Sequence, residues 1–198
     1  MTVHGLMIGY FARVSRILFA SDFQHGHPSI ITTLLKDQKP AVYKPTGSST
    51  REACILTLTA SQALPHTPIN KSYFKVLRKV LQKILYGDTH HRTLSSTPSL
   101  ESKYFALGSS QNHEAARRVC HQRRHFVTKT GYQGLGPSQI QPGDFVFVAF
   151  GGSCPYVLRE VIGGYRLVGE CYVHGLMDGE AIAEMKAGRR STLEITLI

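Results

Sequence analysis

Only four cysteines occur in this 198-residue chain, at positions 54, 120, 154 and 171, and no short spacing repeats among them. That pattern lacks the paired Cys-x-x-Cys signature of a zinc finger. A chain of this length also does not need disulfide staples to fold. Free thiols in a reducing, cytoplasmic setting are the expectation. Tryptophan is absent, which by itself excludes no function. Uninterrupted apolar runs are missing as well. Residues 5–20 are apolar but carry Arg13 and Arg16, so no membrane span is expected. No acid precedes Asp22, a bias shared with organelle presequences. The alternation of Leu6, Ile8, Tyr10, Ala12 and Val14 instead predicts a strand. No internal repeat is visible.

Acidic residues are also scarce: 13 Asp and Glu stand against 23 Lys and Arg, for a net charge of +10. The imbalance is local, with twelve Lys or Arg against three acids between Lys71 and Lys129. Such a basic middle can attract nucleic acid or an anionic surface; the bland alternative is a solvated helix face with its loops.

Hydrophobic content of 42% and charged content of 18% suit a globular protein. A brief helix is predicted over 28–36. Ser49-Thr50-Arg51-Glu52 has the spacing of a capping box and predicts a helix from about Thr50 to Ala63. The clearest periodicity, Tyr73, Phe74, Leu77, Val80, Leu81, Ile84 and Leu85, predicts a helix over Lys71–Tyr86 with Lys75, Arg78, Lys79 and Lys83 on its other side. Residues 89–111 read as a polar loop, and 112–120 as a short helix. Then the pattern changes. Gly151-Gly152, Gly163-Gly164 and Pro142-Gly143-Asp144 punctuate short β-forming runs. Strands are predicted at 125–128, 132–135, 145–150, 156–161 and 165–173, a helix at 178–187 and an edge strand at 192–197. The expected fold is α+β: one domain over 1–198, with a small, strongly bent antiparallel β-barrel of the SH3-like kind in the C-terminal half, packed with several helices from the N-terminal half. Its parts are 1–88 (strand plus helices), the loop 89–111, and 112–198 (helix plus barrel core).

Candidate chemistry is thin. Cys171 and His174, with Cys120, His121 and Cys154 as further donors, suggest a metal site, but residues three apart on a strand face opposite ways. Cys154 with His174 and Asp178 would be a nucleophile, base and orienting group; nothing in the sequence brings them together. Gly134-Leu135-Gly136-Pro137 lacks the Lys-Ser/Thr of a phosphate loop and reads as a turn. Arg117, Arg118, Arg123 and Arg124 with Tyr132 offer a nucleic-acid face without a recognised reading motif. The residues therefore assign no catalytic, cofactor-binding or metal role, and no cofactor.

The run from Phe126 to Glu180, with GYQGLGP, PGD, GGSCPYVLR and YRLVGECYVHGLMDGEA in order, resembles the C-terminal region of fungal heterokaryon-incompatibility (HET-domain) proteins. The likeness is strongest over 123–181 and extends upstream to Val3–Val14 and Pro45-Thr46-Gly47. It implies a role in nonself recognition and vegetative incompatibility. The HET domain itself, N-terminal in that family, has no counterpart in these residues, so the chain is expected to be a truncated family region. The reading is a non-catalytic accessory module, not an enzyme, whose partner is a protein, such as a HET-type effector domain in cis or trans. The alternatives are a basic SH3-like nucleic-acid-binding module and, further off, a Cys/His-dependent hydrolase.

Overall fold

Thirteen consecutive residues, Thr2–Val14, form strand β1 in a computed structural model that describes residues 1–23, 34, 42–61 and 116–198. The predicted helix over 71–86, the loop 89–111 and nearly all of the helix over 28–36 lie outside the described residues. The other strands are β2 (Arg123–Thr128), β3 (Gln133–Pro137), β4 (Phe145–Ala149), β5 (Tyr156–Val161), β6 (Gly164–Glu170), β7 (Tyr172–Val173) and β8 (Leu193–Thr196). They make an eight-stranded sheet in the order β6-β5-β4-β1-β2-β3-β7, with β8 also paired to β1. All of these ladders are antiparallel. Helices Thr50–Leu58 and Glu180–Lys186, helical residues 116–120 and a 3-10 turn at Ala20–Phe23 complete the described elements.

β1 serves two half-sheets. Its first half pairs with β8 and β4, and its last four residues pair with β2. The register slips between Met7 and Gly9 against β4 and between Phe11 and Arg13 against β2. Such bulges bend a strand and increase its twist. They also break the strict alternation predicted for Leu6–Val14. Leu6, Ile8 and Phe11 enter one core, whereas Met7 and Tyr10 face another.

Three apolar layers follow from this pleat. On one face of the first half-sheet, Phe145, Phe147, Leu158 and Ile195 cluster with Tyr165 and Leu197. Between the half-sheets lie Leu6, Ile8, Phe126, Val146, Val157 and Val173, closed by Ala181 of the C-terminal helix. Beyond β3, Leu135 packs on Leu18, Cys54, Leu58 and Cys120. Full burial of Phe126, Phe145 and Phe147 contributes about 1.5–3 kcal/mol each. Phe126 lies opposite Gly134 in the β2–β3 register, and a Cβ at Gly134 would collide with that ring and with the Tyr172 carbonyl. Glycine is required there by close approach.

Two signature turns have a common explanation. Asp144 of Pro-Gly-Asp is fully buried and accepts from the Gln141 amide at 2.9 Å. Its carboxylate takes a two-point bond from Arg159 on β5, at 2.7 Å from Nε and 3.0 Å from Nη2. Arg159 also donates to the Gln139 carbonyl at 2.9 Å, so one guanidinium fastens the turn before β4 to the neighbouring strand. Hydrogen bonding to Asp144 raises the Arg159 pKa further.

The expected capping box is present. Ser49 Oγ accepts from the Glu52 amide at 3.1 Å, and the Ser49 amide donates to the Glu52 carboxylate at 3.1 Å. The helix it starts ends at Leu58, five residues before the predicted end. The strand predicted over 165–173 is broken at Cys171, where the chain passes from β5 to a new partner, β3. Leu167, within β6, is half exposed. The sheet is not confined to the C-terminal half, since β1 lies in its centre, and few helices flank it among the described residues. Its hydrogen-bonded path is not closed.

Replacing Asp144 with Asn leaves Arg159 without its charge partner in a site where the carboxylate is dry. The expected loss is roughly 3 kcal/mol of unfolding free energy, read by denaturant titration. A loss below about 1 kcal/mol, the range of a surface pair, would show that the pair does not hold the turn.

Candidate functional site

Gln133, the first residue of β3, uses every polar group it has. Its amide donates to Tyr43 Oη at 3.1 Å, and its carbonyl accepts from the His174 amide at 2.9 Å. Its side-chain Nε2 lies 3.5 Å from the Thr50 carbonyl, and Oε1 lies 3.2 Å from His125 Nε2. With the amide oriented this way, His125 donates through Nε2. Tyr43 Oη in turn donates to the His174 carbonyl at 2.8 Å. Thus the turn around Tyr43, the helix start at Thr50, β2, β3 and the end of β7 meet at one buried glutamine. Burial pushes the Tyr43 pKa far up and the His125 pKa down to about 4, so both are neutral near pH 7.

Beside this network lies a cleft of about 420 Å³, a volume in the range of small-ligand sites. Arg118, Arg123, Glu170, Cys154, Cys171 and Tyr172 are among its lining residues. Behind it, Tyr172 Oη lies 2.5 Å from Ser61 Oγ and 3.2 Å from His174 Nδ1. Burial raises the Tyr172 pKa and lowers that of His174. This relay is made of neutral hydroxyl and imidazole groups. Ala60 and Ser61, which bring it to the cleft, adopt φ of 48° and 50°, a conformation uncommon for residues with side chains.

The predicted candidates separate. Cys171 is 3% exposed and its thiol is pushed well up by burial. Cys154 and Cys171 share the cleft, whereas His174 does not line it. His174 instead lies tilted beside the Tyr43 ring and bonds Tyr172. Cys120 is buried and donates to the Leu58 carbonyl at 3.0 Å, while His121 accepts from the Ala20 amide at 3.4 Å. No group of three metal-ligating side chains occurs among the described residues. Arg124 donates to the Ile140 carbonyl at 2.7 Å, a structural engagement. The sequence pattern did not single out Gln133. A polar residue inside a glycine-rich run between apolar strands was the available signal, since such a residue needs partners when buried.

Residues 99–191 match the family described as the Het-6 beta-barrel domain. The likeness to the C-terminal region of HET-family proteins holds. Over 62 residues the chain is 48% identical to heterokaryon incompatibility protein 6, OR allele, of Neurospora crassa, a match covering 29% of this chain and 9% of that protein. The chain therefore spans about a tenth of the length of this curated relative. No solved structure matches it. The Het-6-type region includes all strands from β2 to β7 and the helix Glu180–Lys186, and thus Gln133, Asp144, Arg159 and most of the cleft. Among the described residues, no helix is long and apolar enough to cross a membrane.

The buried histidine sets a pH dependence. In the unfolded chain a histidine titrates near 6.5, and in the fold His125 titrates near 4. Between these values the unfolded state binds the extra proton, so stability is full above pH 6.5 and falls as the pH drops towards 4. His174, shifted in the same direction, adds to the trend. The expected difference between the chain and a His125→Asn variant across this window is on the order of 3 kcal/mol, measured by unfolding at successive pH values. Parallel profiles for the two proteins would contradict the assignment.

Proposed function

We propose that this chain is a non-catalytic interaction module of the fungal nonself-recognition type, working through contact with a HET-type effector domain in cis or in trans. In this reading the sheet acts as a small, strongly bent barrel of the SH3-like kind. The support for that shape is the sharing of β1 by both half-sheets and two approaches across the open side. Tyr165 of β6 bridges Leu197 beyond β8, with the Ile198 amide donating to the Tyr165 carbonyl at 3.0 Å. Farther along β6, a Cβ at Gly169 would stand 2.7 Å from the Pro137 ring at the end of β3.

The observation that carries the functional reading is the direction of the signature's polar groups. Asp144 of PGD and Arg159 of VLR are bonded to each other, and Gln133 of GYQGLGP is bonded to Tyr43 and His125, all within the fold. A signature written for catalysis places such groups towards a substrate. Here they specify a scaffold, which suits a module whose outer surface does the work. The resemblance to heterokaryon incompatibility protein 6 supplies the biological setting, incompatibility between fused fungal strains.

The test is co-expression of the tagged chain with a HET-type domain supplied as a separate polypeptide. The expected result is a complex that co-purifies and is lost with Asp144→Asn, which loosens the scaffold. A folded chain that ignores such a domain, and that turns over a substrate or binds nucleic acid with a steep salt dependence, would contradict the reading.

A further inference from the structure

The four thiols of the chain fall into two neighbourhoods. Cys54 and Cys120 are both fully buried in the apolar layer beyond β3, where burial pushes Cys54 up to about 12. Cys154 and Cys171 line the cleft, the first partly buried in the loop between β4 and β5 and the second at the break between β6 and β7.

The backbone brings this second pair together. The β5–β6 ladder pairs Tyr156 with Glu170. One step beyond, the Cys171 amide donates to the Pro155 carbonyl at 2.9 Å; proline has no N–H to return the bond. Opposed, hydrogen-bonded residues have Cα atoms about 5.5 Å apart, and Cys154 is one further 3.8 Å step along the chain. That puts its Cα roughly 6–7 Å from that of Cys171, at the upper end of the range a disulfide bridges. In a continuing ladder the two side chains would face opposite ways. Regular pairing has ended here, and both residues line the same cleft.

We infer that Cys154 and Cys171 form an oxidation site at which a peroxide closes a disulfide across the cleft. Arg118 and Arg123 line the same cleft. The Cys154 sulfur attacks the peroxide: an S–O bond forms, the O–O bond breaks, and the departing oxygen leaves as water with the thiol proton. The Cys171 sulfur then attacks the resulting sulfenic acid. An S–S bond forms, the S–O bond breaks, and hydroxide leaves and takes the Cys171 proton. Two thiols and one hydrogen peroxide thereby become one disulfide and two waters. The bond ties the β4–β5 loop to the point where the chain crosses from β6 to β7.

The purified full chain is treated with hydrogen peroxide, alkylated, and mapped by mass spectrometry without reduction. The expected product is a Cys154–Cys171 linked peptide, two hydrogens lighter than its reduced parts and restored by dithiothreitol, with Cys54 and Cys120 remaining thiols. Cys154→Ser, a change in an accessible loop, is expected to abolish the link and leave Cys171 reduced. Cys171→Ala is expected to leave Cys154 as a sulfenic acid trapped by dimedone. Oxidation of Cys154 to sulfinic acid in the unmodified chain with Cys171 still a thiol, or links that involve Cys54 or Cys120 instead, would overturn the inference.

Discussion

A glutamine side chain buried between a sheet and a helix has two donors and an acceptor that water no longer serves, and each unsatisfied group costs about 1–3 kcal/mol. Gln133 resolves this only when four separate segments are in place. Its main chain needs Tyr43 and His174, and its side chain needs Thr50 and His125. Segments more than eighty residues apart in sequence are therefore held by one residue at 2% exposure. Apolar packing of Leu135 on Cys54, Leu58 and Cys120 gives that junction its area. Hydrogen bonding gives it its register, because apolar contact alone tolerates sliding and repacking.

The same division of labour recurs across the sheet. Phe126 over Gly134 fixes how closely β2 and β3 approach, and Asp144 with Arg159 fixes the turn that delivers β4 to its place beside β1. The bulges of β1 let a single strand continue from one half-sheet into the other. The cleft forms where β6 gives way to β7, so its walls come from the points at which regular pairing stops. That is why it collects a partly buried cysteine, a strained helix end at Ala60, and charges of both signs.

Much of this was legible in the residues. Glycine and proline punctuation located the strands from Phe126 onwards, since turn chemistry is local, and the capping box at Ser49 and Glu52 formed as read. The break at Cys171 was not legible. YRLVGECYVHG is β-forming throughout, and the change of partner from β5 to β3 is decided by non-local pairing. The bulges of β1 were hidden for a similar reason: Leu6, Ile8 and Tyr10 alternate perfectly in sequence, yet the slip near Gly9 turns Tyr10 to the opposite core. Candidate chemistry fared in proportion. The i, i+3 argument assumed one unbroken strand through Cys171, and the shared cleft of Cys154 and Cys171 depends on register that no local pattern states. Gln133 had no periodicity to mark it, only its polarity within the glycine-rich GYQGLGP run.

The central claim is that Gln133 joins the helical layer to the sheet, and amide hydrogen exchange tests it most directly. In a Gln133→Leu variant, similar in volume but unable to bond, the account predicts a selective loss of protection for the amides of helix Thr50–Leu58 and for His174, while β4 and β5 keep theirs. Unchanged protection in that helix, or a uniform loss across the whole sheet, would contradict it.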